Sequence, residues 1–311
     1  MRIFITGASG WIGSALIPEL IGAGHTPIGL ARSEESAVLI RNMGAEVCRG
    51  DLDDADILRS AAMNSDGVVH LAFRHELAFR GRLQEALSSN LNAITVFGQA
   101  LKNTGKPFVV ASGVFGLAKG RTATEEDSGP LPEMTNNLLL AERSRAERTV
   151  LSLADVGIRS SAVRISPTCH GKGDKGFIAA LVNIAKTNKI SGYLGNGQTR
   201  WPAVHRFDTA LLFRLALEKG TPGSVFHAVA EEGIPFHDIA SAIGNKLNLA
   251  VSAISEEEAE SHFGFLADLI GADIPTSSRI TQEKLKWLPS HPKLIEDINA
   301  GFYFESGAGN E

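Results

Sequence analysis

Glycines spaced three apart near the N-terminus are the residues with the clearest chemical potential. The segment Thr6–Gly13 reads TGASGWIG, follows the β-rich run Ile3–Thr6, and precedes an apolar pattern of helical period that stops at Gly24. Glycine allows a tight turn and lets backbone N–H groups approach a pyrophosphate at a helix N-terminus. The alternative is a purely structural turn. The strand–turn–helix setting favours a dinucleotide site, with predicted contacts at Thr6, Gly7, Ser9, Gly10, Trp11, Ile12 and Gly13.

The end of the second predicted strand, Pro27–Ala31, bears on the choice of dinucleotide. Enzymes that use NAD usually place Asp or Glu there, to accept a hydrogen bond from the ribose 2′-hydroxyl. This chain has Arg32 and Ser33 instead. A guanidinium can pair bidentately with a 2′-phosphate, and the serine can add a hydroxyl. NADP(H) is therefore expected in preference to NAD(H), although Glu34 and Glu35 lie nearby and a solvated arginine is the alternative.

The third predicted strand, Glu46–Arg49, leads into Asp51 and Leu52. A carboxylate at such a strand end can accept from the adenine amino group while the leucine packs on the ring. An aspartate that caps the helix Ala55–Ala62 is the alternative. The loop Phe73–His75, after the fourth strand, is also expected to line the cofactor cleft.

Candidates for proton chemistry are few. Hydride transfer belongs to a nicotinamide, so the protein must supply orientation and, for a carbonyl substrate, a proton. Ser112 ends the apolar strand Pro107–Ser112 and can hydrogen-bond a substrate oxygen. His170 follows a later strand at a position expected to face the cleft, and its ordinary pKa suits acid–base work, with a structural loop histidine as the alternative. Cys169 is expected to be a small buried hydrophobe.

Strand and helix patterns alternate through the first half of the chain, which predicts an α/β fold with a doubly wound parallel sheet of the Rossmann type. Residues 1–165 are expected to form the dinucleotide-binding domain, with later strands around 200–230 returning to it. Residues 166–311 are expected to form mostly a smaller substrate lobe, and residues 305–311 a frayed tail. The other predicted strands are Gly67–Ala72, Ile158–Ile165 and Ser224–Ala230; the predicted helices are Ser33–Met43, Leu83–Lys102, Asn136–Leu153, Phe236–Leu247 and Glu256–Leu269.

The composition excludes several classes of protein. The 311 residues carry a formal charge of −5 and are 43% hydrophobic, so no broad basic face for nucleic acid is expected. The two cysteines predict no disulfide framework, and no apolar run reaches the length of a membrane span. No group of residues has metal-ligand spacing, so no metal is expected. A cytoplasmic protein with a small-molecule substrate is predicted.

These motifs together resemble the extended short-chain dehydrogenase/reductase superfamily, in its branch of NAD(P)-dependent epimerases and dehydratases. Thr6–Gly13 is similar to its TGxxGxxG turn and Asp51-Leu52 to its adenine-contacting pair. The resemblance implies that Leu71 and Ala72 lie beside the cofactor and that Ser112 stands at the catalytic serine position. It also implies a homodimer formed through the helices Leu83–Lys102 and Asn136–Leu153. Further similar segments are Asn90, Arg164–Pro167 and Val204–Asp208.

One departure from this family is decisive for chemistry. The family's Tyr-x-x-x-Lys pair is absent, because glycine stands four residues after each of the two tyrosines, Tyr193 and Tyr303. With Glu147 as the register mark, Leu139 occupies the tyrosine position and Arg143 the lysine position. Arg143 can still anchor the cofactor ribose or an anionic substrate, whereas Leu139 can transfer no proton. The chain therefore resembles atypical members of the superfamily.

The expected function is an NADP(H)-dependent reduction of a small organic carbonyl or an enone. Reduction of a conjugated C=C would suit a site without tyrosine, since protonation at carbon can come from water or a weak acid. Two alternatives remain open at this point. One is a non-enzymatic NADP(H) sensor, and the other is a nucleotide-sugar epimerase or dehydratase, which would depend on the missing tyrosine.

Overall fold

The computed structural model describes residues 1–305, the side chains at 79 and 132 excepted. Its strands in chain order are β1 (Arg2–Thr6), β2 (Thr26–Ala31), β3 (Glu46–Arg49), β4 (Gly67–His70), β5 (Pro107–Gly113), β6 (Arg159–Ile165), β7 (Thr168–His170), β8 (Ile190–Leu194), β9 (Arg200–His205), β10 (Ser224–Ala228), β11 (Glu231–Pro235) and β12 (Ala250–Ile254). Its α-helices are α1 (Gly13–Gly22), α2 (Glu34–Asn42), α3 (Ala55–Met63), α4 (His75–Phe79), α5 (Leu83–Leu101), α6 (Leu138–Ser152), α7 (Phe177–Asn188), α8 (Arg206–Lys219), α9 (Phe236–Leu247), α10 (Glu256–Phe263), α11 (Ala267–Ile270), α12 (Arg279–Leu285) and α13 (Leu294–Ala300).

Seven strands form a parallel sheet in the order β10-β6-β5-β4-β1-β2-β3. Alternate residues point to opposite faces, so Phe108 joins the core under α3, α5 and α6, whereas Val109 joins the core under α1 and α8. The chain runs outward from β1 to β3 and then crosses back to β4. Ligands bind at such a switch point, beyond the carboxyl ends of the strands. The predicted Rossmann-type fold is confirmed.

The remaining strands form a three-stranded sheet, β11-β9-β7, and a parallel pair, β12-β8. Together with α7, α9, α10, α11 and α13 they surround a second apolar core that includes Trp201, Phe236 and Phe263. We call this assembly the C-terminal lobe. Of the strands between residues 200 and 230, β10 joins the large sheet, while β9 belongs to the lobe.

Some boundaries differ from the sequence prediction. The fourth strand ends at His70, and Leu71 and Ala72 continue as loop along the sheet edge. The predicted single helix Glu256–Leu269 is wrong, because Gly264 adopts a φ of +56° and separates α10 from α11. The predicted fraying of the tail concerns residues that, from 306 onward, lie outside the described part. Within residues 1–305, no helix is both long and apolar enough to cross a membrane.

Candidate functional site

The glycine turn connects β1 to α1 at the switch point of the sheet. Gly7 has a φ of +70°, and an added Cβ there would lie 2.9 Å from the Ala72 nitrogen. A Cβ on Gly13 would lie 2.2 Å from the Gly7 carbonyl oxygen. No side chain caps the N-terminus of α1. Ser14 N–H already donates to the Gly10 carbonyl oxygen, but within the described residues the N–H groups of Trp11, Ile12 and Gly13 have no backbone partner, so they are available for an anion such as a pyrophosphate.

Thr6 supports this turn from beneath. Its buried hydroxyl accepts from the Ala72 N–H at 3.2 Å and lies 2.6 Å from His70 Nδ1, to which it can donate. His70 Nε2 then donates to Asn90 Oδ1 at 3.2 Å. Burial lowers the pKa of His70 to about 4, so the ring is neutral. A neutral ring can accept from Thr6 at Nδ1 and donate to Asn90 from Nε2. Thr6 thus fixes the loop after β4 against the turn and does not line the cavity.

A cavity of about 440 Å³ opens beside the turn, between the ends of β2, β3 and β4. That volume is within the usual range for a small-molecule site. The loop Phe73–His75 lines it, as the sequence predicted, together with Ser36 and Glu76, which the sequence reasoning did not single out. The predicted cofactor residues that line it are Gly7, Ser9, Gly10, Trp11, Ile12, Gly13, Arg32, Asp51, Leu52, Leu71 and Ala72.

Arg32 stands at the end of β2 with 57% of its side chain exposed, and its Nη1 lies 2.5 Å from Glu76 Oε1. Burial acts to raise the pKa of Glu76, but the hydrogen bond and charge of Arg32 hold it below the ordinary value. An anion entering the cavity at this point would replace a carboxylate that already faces the guanidinium. Ser33 does not line the cavity, because its hydroxyl caps α2 by accepting from the Ser36 N–H at 3.2 Å.

A second ion pair lies at the cavity wall, beyond the end of β3. Arg74 contacts Asp51 and lies 2.8 Å from Asp53. The helix α3 begins after Asp54, whose carboxylate accepts from the Asp51 N–H at 2.6 Å. Asp51 is therefore not the cap of this helix; it lines the cavity, and its Oδ1 also accepts from the Asp53 N–H at 3.2 Å.

Ser112 lies at the carboxyl end of β5, but its hydroxyl donates to Glu147 Oε2 at 2.6 Å. The same carboxylate is held by the buried Arg164, whose Nη2 lies 2.6 Å from Glu147 Oε1. Arg164 in turn contacts His227, and burial lowers the pKa of His227 to about 4, which keeps it neutral. Ser112 can therefore accept a hydrogen bond from a ligand, while its own proton is committed to the carboxylate.

Arg143, predicted to contact the cofactor, lies one helical turn before Glu147 on α6; it does not line the cavity, and it contacts the cavity wall through Phe73. Its guanidinium stacks over the Phe73 ring at 5.0 Å, and a Cβ on Gly113 would lie 3.6 Å from its Nη1. Within residues 1–305, Arg143 makes no ion pair, and its buried Nε has no hydrogen-bond partner. Burial lowers the pKa of the guanidinium. Leu139 precedes Arg143 by four residues on the same helix, so the two side chains share a face.

His170 lies in the interior, which differs from the predicted position facing the cleft. It is 1% exposed, and its Nδ1 lies 2.6 Å from Asp297 Oδ2 of α13. The reason is that β7 is a buried strand between β9 and α13, so its side chains pack into the lobe. The cavity lining does not include it. The geometry gives His170 a structural partner and no access to a ligand in this cavity.

Trp11 joins the glycine turn to the lobe. Its Nε1 donates to the Cys169 carbonyl oxygen at 2.8 Å, and the Arg206 guanidinium stacks on its ring at 4.1 Å. Arg206 also donates to Ser14 Oγ at 3.0 Å. Burial raises the pKa of the Cys169 thiol to about 12, so the thiol is inert, as the sequence predicted. The glycine turn is therefore in direct contact with the C-terminal lobe through Trp11.

Comparison with known proteins places the chain in a family. The model of the NAD dependent epimerase/dehydratase family matches residues 3–228. The chain belongs to this family. An uncharacterized protein of Schizosaccharomyces pombe is 44% identical over 305 residues, which cover 98% of this chain and 100% of the yeast protein. A ketoreductase of Stigmatella aurantiaca that acts on a farnesylated dihydroquinoline oxide is 27% identical over 230 residues, 73% of this chain and 67% of its own.

Solved structures show the same fold. A dTDP-glucose 4,6-dehydratase from Streptomyces venezuelae with bound NAD superposes with a TM-score of 0.75 at 17% identity, covering 97% of each chain. At that identity the likeness concerns the fold alone. The family and the oxidoreductases among the relatives support an NAD(P)-binding protein of the oxidoreductase type.

Proposed function

We propose that this protein is an NADP(H)-dependent reductase that acts on a small organic carbonyl or enone. Arg32 carries the proposal: it places a guanidinium at the end of β2, on the cavity wall, where a 2′-phosphate would lie. Oxidoreductases among the relatives, including the ketoreductase, support the reaction class.

A bound NADPH would supply a hydride to the carbonyl carbon or to the alkene, and a solvent proton would complete the reduction. The residues of this chain bind and orient. The amides of Trp11–Gly13 would hold the pyrophosphate, Asp51 would accept from the adenine amino group, and Arg32 would exchange Glu76 for the 2′-phosphate. Because Leu139 has no proton to give and Ser112 donates to Glu147, water would supply the proton, to the oxygen of a reduced carbonyl or to the α-carbon of a reduced enone.

A non-enzymatic NADP(H) sensor is the second candidate, and the contacts of Trp11 favour it. The turn touches the lobe through the Cys169 carbonyl oxygen on β7, so a bound cofactor could alter a surface that a partner reads. Turnover separates the two candidates, since an enzyme consumes NADPH with a carbonyl or enone and a sensor only binds it. The loss of the tyrosine argues against a nucleotide-sugar epimerase, which would depend on that residue.

Calorimetric titration with NADPH and with NADH tests the proposal. We expect tighter binding of NADPH, and we expect Arg32→Ser to weaken NADPH binding about tenfold or more while NADH binding changes little. Arg41→Ser is the matched control, because Arg41 is an exposed arginine on α2 that pairs with Glu34 and does not line the cavity.

If Arg32→Ser weakened the binding of NADPH and NADH equally, Arg32 would not be the residue that binds the 2′-phosphate. Failure of the unaltered protein to bind either dinucleotide would make the glycine turn structural, and the reductase proposal would fall with it.

A further inference from the structure

Arg143 is a cation beside the cavity without a counter-charge. Within the described chain it has no carboxylate partner, one face of its guanidinium lies on Phe73, and its Nε is enclosed without a hydrogen bond. The other buried arginine of this region, Arg164, pairs with Glu147 instead. A partly buried guanidinium costs free energy unless an anion compensates it. The described chain therefore provides no negative charge to balance the Arg143 guanidinium.

The surroundings of Arg143 preserve that positive charge. Its neighbour His75 lines the cavity, and burial together with the charge of Arg143 lowers the pKa of His75, which keeps the ring neutral. Arg74, which does line the cavity, is engaged by Asp51 and Asp53. One positive charge is thus left for a ligand.

The dinucleotide does not supply the missing anion. The pyrophosphate belongs at the turn after β1, whereas the Arg143 guanidinium lies near Gly113 at the end of β5, and β4 lies between these strands. Two strand spacings separate the two points by roughly 10 Å. The ribose nearest the nicotinamide offers only neutral hydroxyls, which need a hydrogen-bond donor and no full charge.

We propose that Arg143 binds the carboxylate of an anionic substrate, so that the carbonyl or alkene reduced here belongs to an oxo acid or an unsaturated acid. This inference rests on the proposed reductase function. A planar carboxylate matches the exposed edge of a guanidinium bidentately, and one negative charge balances the single positive charge available. Phe73, under the guanidinium, holds the fork in place.

The test uses matched small probes on the purified full chain. Benzoate and benzamide have nearly the same shape and differ in charge, and each is titrated by calorimetry into protein with and without saturating NADP⁺. We expect benzoate to bind at least about tenfold more tightly than benzamide. Arg143→Met should abolish this difference. Arg145→Met, which removes an exposed arginine of the same helix, should leave it intact.

Thermal unfolding gives an independent arm that needs no ligand. Because Arg143→Met removes an uncompensated charge from beside Phe73 and keeps an apolar stem, we expect its melting temperature to equal or exceed that of the unaltered protein. A lower melting temperature would assign Arg143 a structural role and overturn the inference.

The outcomes separate this inference from the proposed function. If benzoate and benzamide bind equally, or neither binds, the proposed carboxylate site is wrong. The NADPH titration still tests the reductase proposal separately. Loss of NADP⁺ binding in Arg143→Met would assign the residue to the cofactor and also overturn it. If no dinucleotide binds the unaltered protein, the reductase fails, and the probes on cofactor-free protein still decide the role of Arg143.

Discussion

Individual residues divide into those whose partners are local in sequence and those whose partners are distant. The glycines of Thr6–Gly13 and the position of Arg32 could be read from the sequence because a strand end and a turn define them. The hydroxyl of Ser112 could not, since Glu147 lies 35 residues away. His170 was misplaced for the same reason, because Asp297 follows it by 127 residues. Motif reasoning identifies a side chain and leaves its partner unknown.

The burial of His170 leads to an expected outcome at this scale. His170→Ala leaves the Asp297 carboxylate buried without its imidazole, which should lower the free energy of unfolding by about 3 kcal/mol. Dinucleotide affinity and turnover per folded molecule should stay unchanged, because His170 does not line the cavity. Urea unfolding and NADPH titration measure the two effects. His237→Ala, at an exposed histidine, is the control. If turnover fell while the free energy of unfolding stayed unchanged, His170 would have a catalytic role after all.

Elements were predictable where a single periodicity runs through them. The dense apolar runs gave β5 and β6, and the long amphipathic patterns gave α5 and α6, each within a few residues of its observed bounds. The short strands β7, β8 and β12 were missed because each has three to five residues and pairs with a distant strand. A local pattern does not contain that pairing. The break at Gly264 was missed because a single glycine within a helical pattern is often tolerated.

The junction of β1, turn and α1 is sterically full, and a methyl group should test it. Gly13→Ala would place its Cβ within 2.2 Å of the Gly7 carbonyl oxygen, so the turn must move, and both the melting temperature and NADPH affinity should fall. Gly22→Ala lies in the same helix with open space around its Cβ and should be neutral or stabilising by up to about 1 kcal/mol. Equal behaviour of the two variants would contradict this account of the turn.

Across the whole molecule, several buried histidines make stability depend on pH. Burial lowers the pKa values of His70, His205 and His227 to about 4 each, while an unfolded chain gives histidine its ordinary value of 6.5. Between pH 6.5 and 4 the unfolded state therefore binds more protons than the folded state. The stability that these residues contribute is fully present above pH 6.5 and is lost as the pH falls toward 4.

Urea unfolding at pH 7, 6 and 5 measures this dependence. The denaturation midpoint should fall at each step below pH 6.5. His227→Gln should make this decline shallower, because about one proton fewer is taken up on unfolding. A midpoint that is constant over this range would contradict the neutral, buried state of these rings.

The edge position of β10 has a consequence for the order in which the chain is made. Six strands of the large sheet are complete by Ile165, but β10, which covers the outer edge of β6, is not synthesised until Ala228, roughly sixty residues later. At about 5–20 residues per second, a ribosome leaves that edge open for several seconds. An unpaired strand edge is a template for pairing with another chain. The nascent protein is thus most exposed to aggregation while its lobe is being translated, and that interval ends when β10 emerges.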